Sequence, residues 1–237
     1  MTPGNEAPAL PAPYGTPDAP RITVRGEAHL EVDPDIARIG ITLTARSTDR
    51  TTTLAGLTHR NTTTTDLIKS YGEAVEKLET SAFSVTPELT KHGRGERIRA
   101  YHGHVHLTAE LNDFTALGEL TTRLADHDLV RVDGPYWALR PTSPAHRDAR
   151  RQAVHEAVQR AREYADALGT TLTALLELTD TGTDAPHLPA ATGRALRAKG
   201  YGGAPTEDTP AALDLEPQRQ HVHAEITARF TMAPPRL

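Results

Sequence analysis

The sequence predicts an α+β protein, mainly antiparallel sheet with helices packed on one face, in the order ββα-ββα-β-α-β-β. Three observations predict it. Stretches that alternate apolar and polar residues recur along the chain, the period of a half-buried strand. Three other stretches repeat their apolar residues at spacings of three and four, the period of a helix with one buried stripe. The first two helical stretches each follow a pair of strands, whereas a doubly wound parallel sheet separates every strand from the next by a helix. With 237 residues, 37% of them hydrophobic, the chain is long enough for one large domain or two small ones.

The first alternating run is Ile22 to Val32, with Ile22, Val24, Ala28, Leu30 and Val32 on one side and Thr23, Arg25, Glu27, His29 and Glu31 on the other. Asp33-Pro34-Asp35 interrupts it with turn chemistry, and Ala37, Ile39, Ile41, Leu43 and Ala45 define a second strand, so a hairpin is expected. Leu54, Leu57, Asn61, Thr64, Ile68 and Tyr71 then form a helical stripe that Gly72 is placed to stop. A strand over about 77–89 leads through Lys91 to Glu96, where Gly93 and Gly95 permit a turn, into a strand over about 98–111. Asp113 is placed to cap a helix with Phe114, Leu117, Leu120 and Leu124 inward. After a strand over about 129–139, Ser143-Pro144 reads as a helix start, the hydroxyl accepting from a free amide. That helix carries Ala149, Ala153, Val154, Ala157, Ala161, Ala165 and Leu168 on its inner side, with Gly169 behind it. Strands over about 171–179 and 222–232 complete the order.

Two segments stand apart. Residues 1–20 hold six prolines among Ala, Gly and Thr, without a basic start or an apolar run, and are expected to be a disordered tail rather than an export signal. Residues 181–217 are rich in Gly and Pro and carry Arg194, Arg197, Lys199, Glu207 and Asp208; a long flexible loop is expected there. The ordered domain is therefore expected to span 21–232. No run is long and apolar enough to cross a bilayer as a helix, so the cytoplasm is the expected compartment.

Composition excludes several chemistries. A formal net charge of -5 has the wrong sign for nonspecific grip on phosphate backbones, so nucleic acid is not an expected partner. With no cysteine, disulfides, thiolate metal sites and cysteine nucleophiles are ruled out. His155-Glu156-Ala157-Val158-Gln159 begins like a zinc-protease helix, but Gln stands where the second His is required. There is no Gly-x-Ser-x-Gly elbow and no phosphate loop.

The sharpest local feature is His102-Gly103-His104-Val105-His106 with Glu110 four residues on. Alternation along a strand puts His102, His104, His106 and Glu110 on one face, opposite Val105 and Leu107. Imidazole is the commonest protein ligand for zinc, copper and nickel, so these four residues are the candidate metal ligands. Equally, the histidines are what the wet side of an amphipathic strand looks like, and His221 and His223 repeat the pattern on the last strand.

Taken in order, Val24-Arg25-Gly26-Glu27-Ala28, Val32 to Ala37, Phe83-Ser84-Val85-Thr86-Pro87, Tyr101, Gly134, Trp137 and Leu139 before the alanine-rich helix, and Ala165 to Gly169 at its end resemble the SIMPL-domain family. That group includes bacterial oxidative-stress defence proteins and the periplasmic immunogenic protein. The resemblance spans roughly 22–232. It implies an α+β fold and a tendency to self-assembly, and it supplies no catalytic centre. The expectation is thus a soluble, non-enzymatic module without a cofactor, acting as a homo-oligomer or with a protein partner, in stress defence. The alternative is a metal-binding protein or metalloenzyme built on the His102/His104/His106 strand.

Overall fold

The computed structural model describes residues 15–89, 97–181 and 212–236. The predicted turn at 91–96, most of the tail and the body of the 181–217 loop lie outside the described residues. The elements are β1 (Arg21–Val32), β2 (Ile36–Ser47), α1 (Arg50–Lys69), β3 (Val75–Leu89), β4 (Ile98–Leu111), α2 (Phe114–Ala125), β5 (Val130–Ala138), α3 (Pro144–Ala167), β6 (Leu172–Asp180) and β7 (Gln220–Met232). This is the predicted order and the predicted α+β class. The described residues gather into two compact units, one of 33–89, 97–140 and 212–220 and the other of 15–32, 141–181 and 221–236.

The first unit is a four-stranded antiparallel sheet, β3-β4-β2-β5, with α1 and α2 on one face. Ile39, Ile41 and Leu43 of the inner strand β2 are fully buried, together with Leu107, Ala109 and Leu111 of β4. Leu57 and Ile68 of α1 and Leu117, Leu120 and Leu124 of α2 close the same core. Asp49 starts α1 by accepting a hydrogen bond from the Thr52 N–H at 2.7 Å, a bond that holds its carboxyl below the usual aspartate range. The buried positions of α1 are Thr53, Leu57, Thr64 and Ile68, while Leu54, Asn61 and Tyr71 of the predicted stripe are half-buried. Asp113 caps α2 as expected, accepting from the amides of Thr115 and Ala116 at 2.9 and 3.1 Å. Residues 212–217, the end of the predicted loop, carry no regular secondary structure, and Leu213 lies against α2. Gly118 admits the Leu213 carbonyl where a Cβ would stand 2.2 Å from it, and the Leu213 N–H donates to Thr122 Oγ1 at 3.1 Å.

The second unit is a three-stranded sheet, β1-β7-β6, with α3 lying mainly over β1. Val222, Ala224, Ile226, Ala228, Phe230 and Met232 of β7 are buried, as their alternation predicts. The buried row of α3 is a ladder of alanines at every fourth position from Ala145 to Ala165. Leu168 caps the helix and is exposed rather than inward, and Gly169 behind it takes a positive φ of 65°. Ser143 is the N-cap residue, but its hydroxyl makes no capping bond, contrary to the expectation from Ser143-Pro144.

The expected β1–β2 hairpin does not form. β1 pairs in one sheet and β2, flanked by β4 and β5, is central in the other. The partners decide it: β7 takes β1, and β4 and β5 take both edges of β2, while the extended backbone favoured by a residue before proline lets Asp33 carry the chain onward without a reversal. Asp35 is then fixed at the start of β2, its N–H donating to the Ala138 carbonyl at 3.0 Å and its carboxylate accepting from the Arg140 N–H at 2.9 Å.

Close approach of α3 to β1 depends on Gly26. A Cβ there would stand 2.0 Å from the Ala153 carbonyl oxygen and 2.7 Å from the Ala157 Cβ. Neither neighbour is a flexible side-chain end, so the helix itself must move. Gly26→Ala is expected to cost at least about 1–3 kcal/mol, the range of core overpacking, read as a lower denaturation midpoint in urea. An unchanged midpoint would show that the contact does not constrain the unit.

Candidate functional site

On β4 the inward positions Gly103, Val105, Leu107, Ala109 and Leu111 are buried, which leaves His102, His104, His106 and Glu110 on the opposite face of the four-stranded sheet. The structure thus puts the four candidate ligands on one face. Pairing decides what each meets. His102 stands between Arg46 of β2 and Thr86 of β3, His104 between Thr44 and Ser84, His106 between Thr42 and Ala82, and Glu110 between Arg38 and Lys77.

Lateral hydrogen bonds occupy three of them. His104 Nδ1 lies 3.2 Å from Ser84 Oγ, His106 Nδ1 lies 3.0 Å from Thr42 Oγ1, and the Glu110 carboxylate accepts from Arg38 Nε at 2.7 Å. The His106 ring lies over Gly40, where a Cβ would approach its Cε1 to 3.1 Å. Successive same-face residues of a strand are about 6.6–7 Å apart at the backbone, and here two imidazoles are turned to partners beside them rather than along the row. Among the described residues, no group of three or more histidine or acidic side chains is gathered at metal-binding distance.

Ion pairs border the same face. Glu88 accepts from Arg46 at 2.9 Å, a bond that holds its carboxyl below the usual glutamate range, and the charges of Arg99 and His102 act in the same direction. At one end of the sheet Glu76 bonds Arg140 and also accepts from Asn112 at 2.8 Å. The Arg140 bond, and then the Asn112 bond, lower the Glu76 carboxyl, and the same contact raises Arg140.

β4 and β7 belong to different sheets, so His221 and His223 do not extend the β4 row within a sheet. His223 instead stacks on His29 of β1, with ring centroids 4.4 Å apart. Sequence reasoning placed His29 on the polar side of its strand but gave it no partner, because only the pairing of the first strand with the last brings the two together.

The second unit also has an open groove of about 410 Å³ between α3 and β6, lined by Val158, Arg162, Ala165, Leu172, Leu175 and Phe230. It exists because α3 covers β1 and leaves the β6 side of the sheet open. Leu175, Leu176 and Leu178 are 54%, 45% and 48% exposed.

Two antiparallel sheets with helices on one face, ending in an alanine-laddered helix and a long last strand, define an α+β module. A family model described as SIMPL, a protein of unknown function (DUF541), matches residues 22–230, and the chain belongs to that family. A comparison with curated proteins found no match. Among the described residues, no helix is long and apolar enough to cross a membrane.

The lowered Glu88 carboxyl has a measurable consequence. Its contribution to stability is complete above the ordinary glutamate range and is lost as the pH falls through and below that range, because the folded state prefers the ionised form. Arg46→Ala is expected to return the Glu88 titration upward to the ordinary range, followed by NMR of its carboxyl carbon. A titration that does not move would show that Arg46 is not the cause.

Proposed function

We propose that this protein works by association with copies of itself, through the edge of β6, which has no strand beyond it among the described residues, and that it has no catalytic centre. The observation that carries the reading is a nine-residue edge strand, three of whose four leucines stand about half exposed beside a groove with both apolar and polar lining residues. An edge strand presents unpaired backbone donors and acceptors and invites a further strand.

The other sheet edges are blunted. On β1 the Glu27 N–H already donates to Glu156 of α3 at 3.1 Å. β3 carries Pro87 and three register irregularities, and β5 carries Pro135. β6 has no proline, and its two irregularities against β7 set Leu172, Leu175 and Leu178 opposite Met232, Phe230 and Ala228, the buried side of β7.

A second copy suits this edge because β6 is complementary to itself. In antiparallel register about Leu175, Leu172 faces Leu178 of the other copy, and Glu177, one of the two acidic residues of the strand, faces Thr173. No like charges oppose each other. Stress defence is the biological setting that the family resemblance suggests for such an assembly.

Size-exclusion chromatography with light scattering tests the reading on untagged protein at micromolar concentration. The expected species has at least twice the mass of the chain, and Leu175→Lys with Leu178→Lys together are expected to give a monomer with an unchanged circular dichroism spectrum. A monomeric parent protein would overturn the proposal.

A further inference from the structure

On β1 and β7 the even-numbered residues lie on the buried side, and the odd-numbered ones form the face of the three-stranded sheet turned away from α3. On that outer face, two imidazoles from opposite ends of the sequence touch. The rings of His29 and His223 are stacked, with centroids 4.4 Å apart and planes inclined by 28°. Each ring has a carboxylate beside it: His29 Nε2 is 3.9 Å from Glu27, and His223 Nε2 is 3.9 Å from Glu225. The two glutamates are like charges in one patch, which is favourable only with a cation between them. Arg25 serves as that cation, its Nε 2.9 Å from Glu27 and its Nη2 bonded to Glu225.

We propose that His29, His223, Glu27 and Glu225 form a binding site for a divalent first-row transition metal of the zinc or copper class. Two imidazoles and two carboxylates are a ligand set suited to these ions. Bonds of about 2.0–2.2 Å in a tetrahedral arrangement put neighbouring donors about 3.3–3.6 Å apart, so each nitrogen–oxygen separation of 3.9 Å needs to shrink by only a few tenths of an ångström. No three donors stand at coordinating distance among the described residues. The site closes when the rings turn their nitrogens inward and the ion takes Arg25's place between the carboxylates. Both side chains reach solvent, with exposures of 73% and 45%, so turning them breaks the ring stack but no core packing.

This site differs in kind from the β4 row. There the histidines follow one another along a single strand, and two are bonded to Ser84 and Thr42. Here the two imidazoles come from neighbouring strands and their rings are stacked on each other. Glu225 Oε1 also accepts from Thr181 Oγ1 at 3.0 Å, just beyond the end of β6, but the site uses none of the β6 leucines, so its test is separate from that of self-association.

Calorimetric titration of the full, untagged, metal-stripped chain with zinc chloride, and separately with copper sulfate, tests the proposal. The expected result is saturable binding of one ion per chain, with a raised Tm. His29→Ala and His223→Ala should each weaken binding by about tenfold or more, and His104→Ala should leave it unchanged. Because both rings are exposed, the variants are expected to fold, and an unchanged far-ultraviolet circular dichroism spectrum checks this. Zinc should also shift the ring NMR signals of His29 and His223, a readout that needs no variant. No saturable binding of either ion would overturn the proposal, as would binding that survives both substitutions or is lost only in His104→Ala.

Discussion

In an antiparallel sheet with helices on one side, every second side chain belongs to hydrocarbon and every other one to water, and this division shapes both units. β2 shows it most strictly. It lies between β4 and β5, and its inward residues Ile39, Ile41 and Leu43 are fully buried. Its outward residues Arg38, Thr42 and Arg46 lie on the face opposite α1 and α2 and bond sideways, to Glu110, His106 and Glu88. The polar network is therefore a consequence of the core's geometry: once the aliphatic side is fixed, the polar side is aligned across strands and its partners follow from the pairing register.

Backbone proximity is the second recurring device. α3 approaches β1 because alanines face Gly26, α1 approaches β4 where Leu57 meets Gly103, and Leu213 reaches α2 over Gly118. At each contact a missing side chain on one partner substitutes for shape complementarity between large ones. The chain has few aromatic residues, 4% of the total, and these small-residue contacts let its modest aliphatic cores close.

Much of this was legible in the sequence, because period-two and helical spacings are local properties of the chain. The strand and helix order, the Asp113 cap and the inward side of β7 follow from it directly. The start of α1 at Asp49 was carried by a cap signal, an aspartate three residues before Thr52, that the threonine-rich composition of the helix obscured. Pairing was far less legible. Asp33-Pro34-Asp35 reads as a hairpin turn, and only the partners that β1 and β2 find elsewhere overturn that reading. The candidate ligands show the same limit. That His102, His104 and His106 share a face is a local fact, whereas the meeting of His29 with His223 depends on which strands become neighbours.

The uneven treatment of the sheet edges bears on stoichiometry. Glu156 occupies a β1 amide, and prolines interrupt β3 and β5. With β6 as the one unblunted edge among the described residues, the proposed self-association has a valence of one: a two-fold partner consumes that edge. Under that proposal ribbon growth is self-limiting, and the exposed leucines of β6 do not seed the open-ended stacking that a molecule sticky on both flanks would suffer.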